Sequence, residues 1–241
     1  MGHAARFDVN VRAGAQASGT GWKDAPSVAD RTHATTLEHD FIAMPKIMII
    51  RHAEKPGDGS PHRGVTFDGV HDKHELTVRG WQRAGALVRF FVPFGDRPPA
   101  EPIATPRSIF ASAVTEFSPS MRAQRTVEPL AAALGIPVNA DHANGEERYL
   151  ATAALAAPSP VLIAWHHNHI ATLARQIAGG ELPCPGHWPD DRFDVVWILE
   201  RPDEGGPWSF SQVPQCVIHD DPEDTIQHHS HKTDKMRVES D

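Results

Sequence analysis

The reading turns on Lys46-Ile47-Met48-Ile49-Ile50-Arg51-His52-Ala53-Glu54-Lys55-Pro56. Residues 47–50 form a short apolar run, the pattern of a strand buried on both faces. The run passes directly into an arginine, a histidine and then a polar loop. In open α/β sheets ligands sit outside the carboxyl ends of the strands. Arg51 and His52 stand at such an end, so they are read as functional before any other residue is considered.

Working outward, the chain alternates strand and helix signals. A polar, Gly-containing loop covers residues 57–74. Thr77 then caps a helix reaching about Phe91, with Trp81, Ala84, Leu87, Val88 and Phe91 on one face. Residues 108–112 read as a second strand. Ser118-Pro119 opens the next helix, with proline in its first turn, and Leu134-Gly135 ends it. Pro129 inside that helix predicts a kink or an early end. Residues 136–139 are a weak strand, 146–157 a helix and 161–165 another buried strand. A further helix runs from Asn168 to about Ala178, stopped by Gly179-Gly180. Residues 194–199 and 208–211 bracket a Gly-rich turn as a closing hairpin. The alternation predicts an α/β sandwich.

Two more segments place chemistry at the same edge. The strand at 161–165 runs into His166-His167, and Arg122 lies in the first turns of the helix after strand 108–112. A neutral imidazole nitrogen is a competent nucleophile near pH 7. Two guanidinium groups match phosphate oxygens bidentately and stay charged. A second imidazole can donate to an equatorial oxygen as charge shifts in the transition state. The set therefore points to phosphoryl transfer, for which it requires neither metal nor cofactor.

These residues resemble a known family. Arg51-His52-Ala53-Glu54-Lys55-Pro56 is similar to the RH(G/A)EKP signature of the histidine phosphatase superfamily, whose fold is phosphoglycerate-mutase-like. Leu76-Thr77-x-Arg79-Gly80-x-x-Arg83-Ala84 resembles its "LT-x-x-G-x-x-RA" helix. The segment from Ser120 to Leu130 resembles "S-x-R-x-x-x-T-x-x-PL", and residues 161–167 resemble the strand carrying its second histidine. The four segments keep the family order over about residues 45–213. The resemblance implies a three-layer α/β/α sandwich with a mostly parallel central sheet. It implies His52 as phospho-acceptor, with Arg51 and Arg122 on the phosphoryl oxygens. Counting by a "V-V-S-H-G" pattern selects His166 as the second histidine. A "W-x-H-x-x-(I/L)" pattern with Ile170 selects His167, and the reading favours His167. The family's proton donor lies between the second arginine and the second histidine, where Glu146 and Glu147 stand before a helix. The alternative, an Asp directly after the second histidine, is absent because Asn168 follows His167.

Each residue also has a plainer reading. Glu54 and Lys55 can cap the loop and pair with neighbours, and Arg125 can be a solvated helix residue. Trp165, Trp188 and Trp197 fit packing, while Glu146 and Glu147 fit a helix N-terminus. His166, His167, His169, His228, His229 and His231 invite a metal reading, but adjacent strand histidines point in opposite directions.

Composition narrows the partners. The 241 residues carry a net charge of -8, which argues against nucleic acid or an anionic membrane as the main partner. Only Cys184 and Cys216 are present, too few for a disulfide framework. No stretch approaches the roughly 18–20 apolar residues of a membrane span, and MGHAARFDVNVRAGAQ lacks a signal-peptide apolar run. A soluble, cytoplasmic protein is expected. Residues 1–43 are expected to be an upstream extension or disordered leader before Met44, residues 44–218 the domain, and residues 219–241 a disordered polar tail.

The function expected is a cofactor-independent phosphatase acting on a phosphorylated small molecule or phosphoprotein. The alternatives are a phosphomutase and a non-catalytic phospho-ligand or metal-binding module. The loop at 57–74 offers only His62, Arg63, His71 and Lys73 as a basic lid, which favours hydrolysis over the mutase.

Overall fold

The structure, a computed structural model, describes residues 44–57, 62–95, 97–202 and 205–227. Its elements run β1 (Lys46–Arg51), α1 (Val78–Phe91), β2 (Ser108–Ala111), α2 (Arg122–Leu134), β3 (Val138–Asn139), α3 (Glu147–Ala156), β4 (Val161–Trp165), α4 (His167–Ala178), β5 (Val195–Glu200) and β6 (Ser209–Pro214). The six strands form one sheet ordered β3-β2-β4-β1-β5-β6. β3, β2, β4 and β1 are mutually parallel, while β5 runs antiparallel to both β1 and β6. The closing hairpin read from the sequence is thus present.

Strand alternation builds two cores. Ile47 and Ile49 of β1 and Val161, Ile163 and Trp165 of β4 pack with the α3 and α4 residues Leu150, Ile170 and Leu173. Met48, Ile50, Leu162 and Ala164 point the other way and pack with Leu87, Phe91, Val127 and Leu130 of α1 and α2. A strand buried on both sides has no polar face to spare, which is why these segments are apolar throughout. The result is the three-layer α/β/α arrangement with a mostly parallel sheet.

Local signals behave largely as their chemistry dictates. Thr77 caps α1, its side chain accepting from the Gly80 amide, and Gly135 ends α2 in the left-handed conformation at φ 67°. The start of α2 is corrected, and of the two outcomes read for Pro129, a kink or an early end, the early end does not occur. The helix starts at Arg122 with Met121 as its cap, not at Ser118-Pro119, and it runs through Pro129 to Leu134. Ala123, Val127, Leu130 and Ala131 bury a face on both sides of the proline, so packing offsets the lost backbone bond.

The first residues of the stretch read as a tail make contacts with the domain. Within residues 219–227, Asp221 is an acceptor for Arg83 and Ile226 is buried in the core with Trp197. Residues 1–43 lie outside the described residues, as do His228, His229 and His231. Among the described residues no helix is long and apolar enough to cross a membrane.

Candidate active site

The register of the sheet assembles the site. β1 pairs with β4 in parallel, Arg51 opposite Trp165, and the His52 amide donates to the Trp165 carbonyl at 3.1 Å. One residue beyond each strand, His52 and His166 therefore stand side by side, ring centroids 5.6 Å apart and nearly perpendicular. Both follow the parity of Met48, Ile50, Leu162 and Ala164, toward α2. Arg51 and His167 carry the opposite parity.

His52 is buried and held in one tautomer. Its Nδ1 lies 2.7 Å from the Ala53 carbonyl, to which it can only donate, so the lone pair falls on Nε2. The Ala53 amide donates to Thr126 Oγ1 at 2.8 Å, and that hydroxyl donates to the Arg122 carbonyl at 2.7 Å. Helix α2 thereby fixes the backbone that fixes the ring. Burial first, then the positive charge of Arg51, push the His52 pKa well below its ordinary 6.5. The ring is neutral at pH 7. His166 is also neutral, burial and the Arg122 charge lowering its pKa to about 4. Its Nε2 lies 3.2 Å from Ser112 Oγ at the end of β2.

Arg51 is wholly buried. Its Nη1 donates to the carbonyls of Pro189, Asp190 and Arg192 at 3.0, 2.7 and 3.0 Å. The Phe193 ring lies 3.9 Å from its guanidinium carbon and 6.1 Å from the His52 ring. Burial lowers the Arg51 pKa to about 10, still leaving the cation intact. Arg122, the first residue of α2, donates from Nη1 to the Lys73 carbonyl at 3.0 Å. Its charge acts on His52, His166 and Arg51, which puts all four residues in one electrostatic neighbourhood.

The two adjacent histidines are separated by their surroundings. His166 lies against His52. His167, the one favoured from the sequence, opens α4 and sets Nε2 2.6 Å from the Asp190 carboxylate. Burial and the Arg51 charge lower its pKa to about 4. The strand register sets which imidazole neighbours His52.

The two glutamates read as proton donors stand at the start of α3. Glu146 accepts from the Ala143 amide, and the buried Glu147 accepts from Trp165 Nε1 at 3.1 Å and pairs with His169 at 3.1 Å. Both anchor the start of α3. Asp190 is the carboxylate whose residue borders Arg51 and His167.

Around the loop that follows His52 lies a buried ionic cluster. Arg83 donates to Glu54 at 2.8 Å and to Asp221 at 2.7 Å, and Arg79 donates to Glu54 at 3.3 Å. The loop and α1 also touch through backbone. A Cβ on Gly80 would lie 2.6 Å from the Glu54 carbonyl oxygen, so only glycine permits this approach. Thr126 was visible in the sequence as the fourth residue after Arg122, on the same helical face. Ser112, Asp190 and Phe193 carried no comparable signal, because their loops have no period. Among the described residues no group of three or more His, Cys, Asp or Glu is arranged to hold a metal ion.

No family model matches the chain, and no curated protein matches it. Solved structures do. A mycobacterial glucosyl-3-phosphoglycerate phosphatase is 16% identical, aligning over 70% of this chain and 97% of its own, with a TM-score of 0.41. Phosphoserine phosphatase from Entamoeba histolytica is 15% identical over 70% of this chain and 95% of its own, at a TM-score of 0.41. YhfR of Bacillus stearothermophilus is 16% identical over 72% of this chain and 98% of its own, at 0.38. The first two of these are named as phosphatases. At this identity no substrate transfers from them.

Proposed function

We propose that the chain is a phosphomonoester hydrolase working through a phosphohistidine on His52. The observation that carries this is His52 itself: a buried, neutral imidazole with Nδ1 tied to the Ala53 carbonyl and its Nε2 lone pair left for attack. Arg51 and Arg122 bring two charges that suit a phosphoryl group, and His166 is placed to donate as charge builds on it.

The reaction proceeds in two displacements. The Nε2 lone pair forms an N–P bond as the ester P–O bond breaks, and the leaving oxygen takes a proton. A water oxygen then forms a new P–O bond as the N–P bond breaks, its proton returning to the group that protonated the leaving oxygen, which releases inorganic phosphate and neutral His52. The proton for the leaving oxygen is best supplied by the His167–Asp190 pair. A bound phosphate dianion offsets the nearby Arg51 charge, which holds the His167 pKa down, and so raises the proton affinity of His167.

Turnover of p-nitrophenyl phosphate with and without EDTA, in wild type and His52→Ala, tests the proposal. Quenching the wild type with labelled substrate traps an acid-labile, alkali-stable phosphoprotein that His52→Ala lacks. Undiminished turnover in His52→Ala would falsify it.

A further inference from the structure

A cavity of about 780 Å³ is lined in part by Lys55 and Phe193. Phe193 faces Arg51 and His52, and Lys55 is close enough for its charge to act on His167. The volume falls within the range of about 300–1,000 Å³ typical of small-molecule pockets. A leaving group as small as a serine side chain would fill little of it.

The lining carries a charge imbalance. Its single carboxylate, Glu54, is committed to Arg83 and Arg79. Lys55, half-buried, and Arg63, at the exposed rim, pair with no carboxylate among the described residues. Val65, Val78 and the Phe193 ring supply apolar wall between the polar groups. An apolar recess holding two uncompensated cations favours an organic body that ends in an anion.

We propose that the substrate is a phosphate monoester whose leaving group has an apolar body and carries a second anionic group, lodged between Lys55 and Arg63. This rests on the phosphatase reading, which supplies the phosphoryl group at His52. Phe193 is then the shared wall between the reacting phosphoryl group and the leaving group, and Lys55 and Arg63 set specificity.

The test compares three aryl phosphates with the same phenolic leaving group, whose para chain ends in a carboxylate, a phosphonate or a neutral carboxamide. Wild type should prefer the anionic esters over the amide by about tenfold or more in kcat/KM, the scale of one charge-assisted contact. Whichever anion leads identifies the second group. Lys55→Gln and Arg63→Gln should each bring the ratio toward one, with melting temperatures confirming folded variants. Equal kcat/KM for the amide and both anions in wild type would overturn the proposal, as would variants that keep the wild-type ratio. Were none of the esters hydrolysed, the phosphatase reading would fall separately. Calorimetric affinities for the matching non-hydrolysable phosphonates would then decide the subsite by the same ratio.

Discussion

At His52 the tautomer is set by one backbone carbonyl, and at His166 and His167 a single position separates different surroundings. His166 lies against His52 and His167 against a carboxylate. His166→Ala should therefore lower kcat by roughly 100-fold or more, the scale of losing one transition-state donor. Asp190→Asn should act through the leaving group. Its loss should be small for p-nitrophenyl phosphate, whose phenolate needs little protonation, and at least about tenfold larger for an alkyl phosphate. Steady-state kinetics on both esters checks the pair, and equal losses on the two esters would remove Asp190 from proton transfer. The sequence showed both histidines and both arginines. The choice between His166 and His167 depended on a strand register, where a one-residue slip exchanges the faces, and register is a property of two strands at once.

Helix α1 bears on the site through its first turns. Helix propensity alone makes Gly80→Ala favourable by about 1 kcal/mol. The Cβ would instead meet the Glu54 carbonyl at 2.6 Å, two residues from His52. Gly80→Ala should therefore lower both the melting temperature and kcat, and a stabilised variant with full activity would show that the loop yields freely. Arg83 ties the same helix to Glu54 and Asp221, with Arg83 and Asp221 side chains 3% and 2% exposed. Arg83→Met leaves two acidic groups without their partner and should cost about 3–5 kcal/mol in urea unfolding. These elements were legible because their signals are local: Thr77 as a cap, Gly135 as a stop, and alternating apolar residues in β1 and β4. The start of α2 and the fate of Pro129 were not, because burial against the sheet outweighed the proline. Asp221 and Ile226 looked like tail residues since each is alone among polar neighbours, and their partners are distant in sequence.

On the scale of the whole molecule, the site draws on the stability of the fold around it. The domain keeps His52 and His166 neutral beneath two arginines, so the folded state binds protons less readily than the unfolded chain. The sign follows directly. With His166 lowered from 6.5 to about 4 and His52 lowered well below 6.5, the unfolded state carries more protons as pH falls below 6.5. Stability is complete above that pH and declines toward 4. Asp221 acts in a lower window. Arg83 holds its carboxyl below the ordinary 3.8, so its contribution is present above that value and is lost only as pH drops further. Acid unfolding should therefore begin with the histidines and be completed by the ionic cluster. Melting temperature should fall by several degrees between pH 7 and pH 5, since about 1 kcal/mol corresponds to roughly 2–4 °C in a domain of this size. The double variant His52→Asn, His166→Asn removes two of the three depressed imidazoles, His167 being the third, and should reduce that slope while retaining the steeper loss below pH 4. A double variant as acid-sensitive as wild type between pH 7 and 5 would move the source of the slope away from the site.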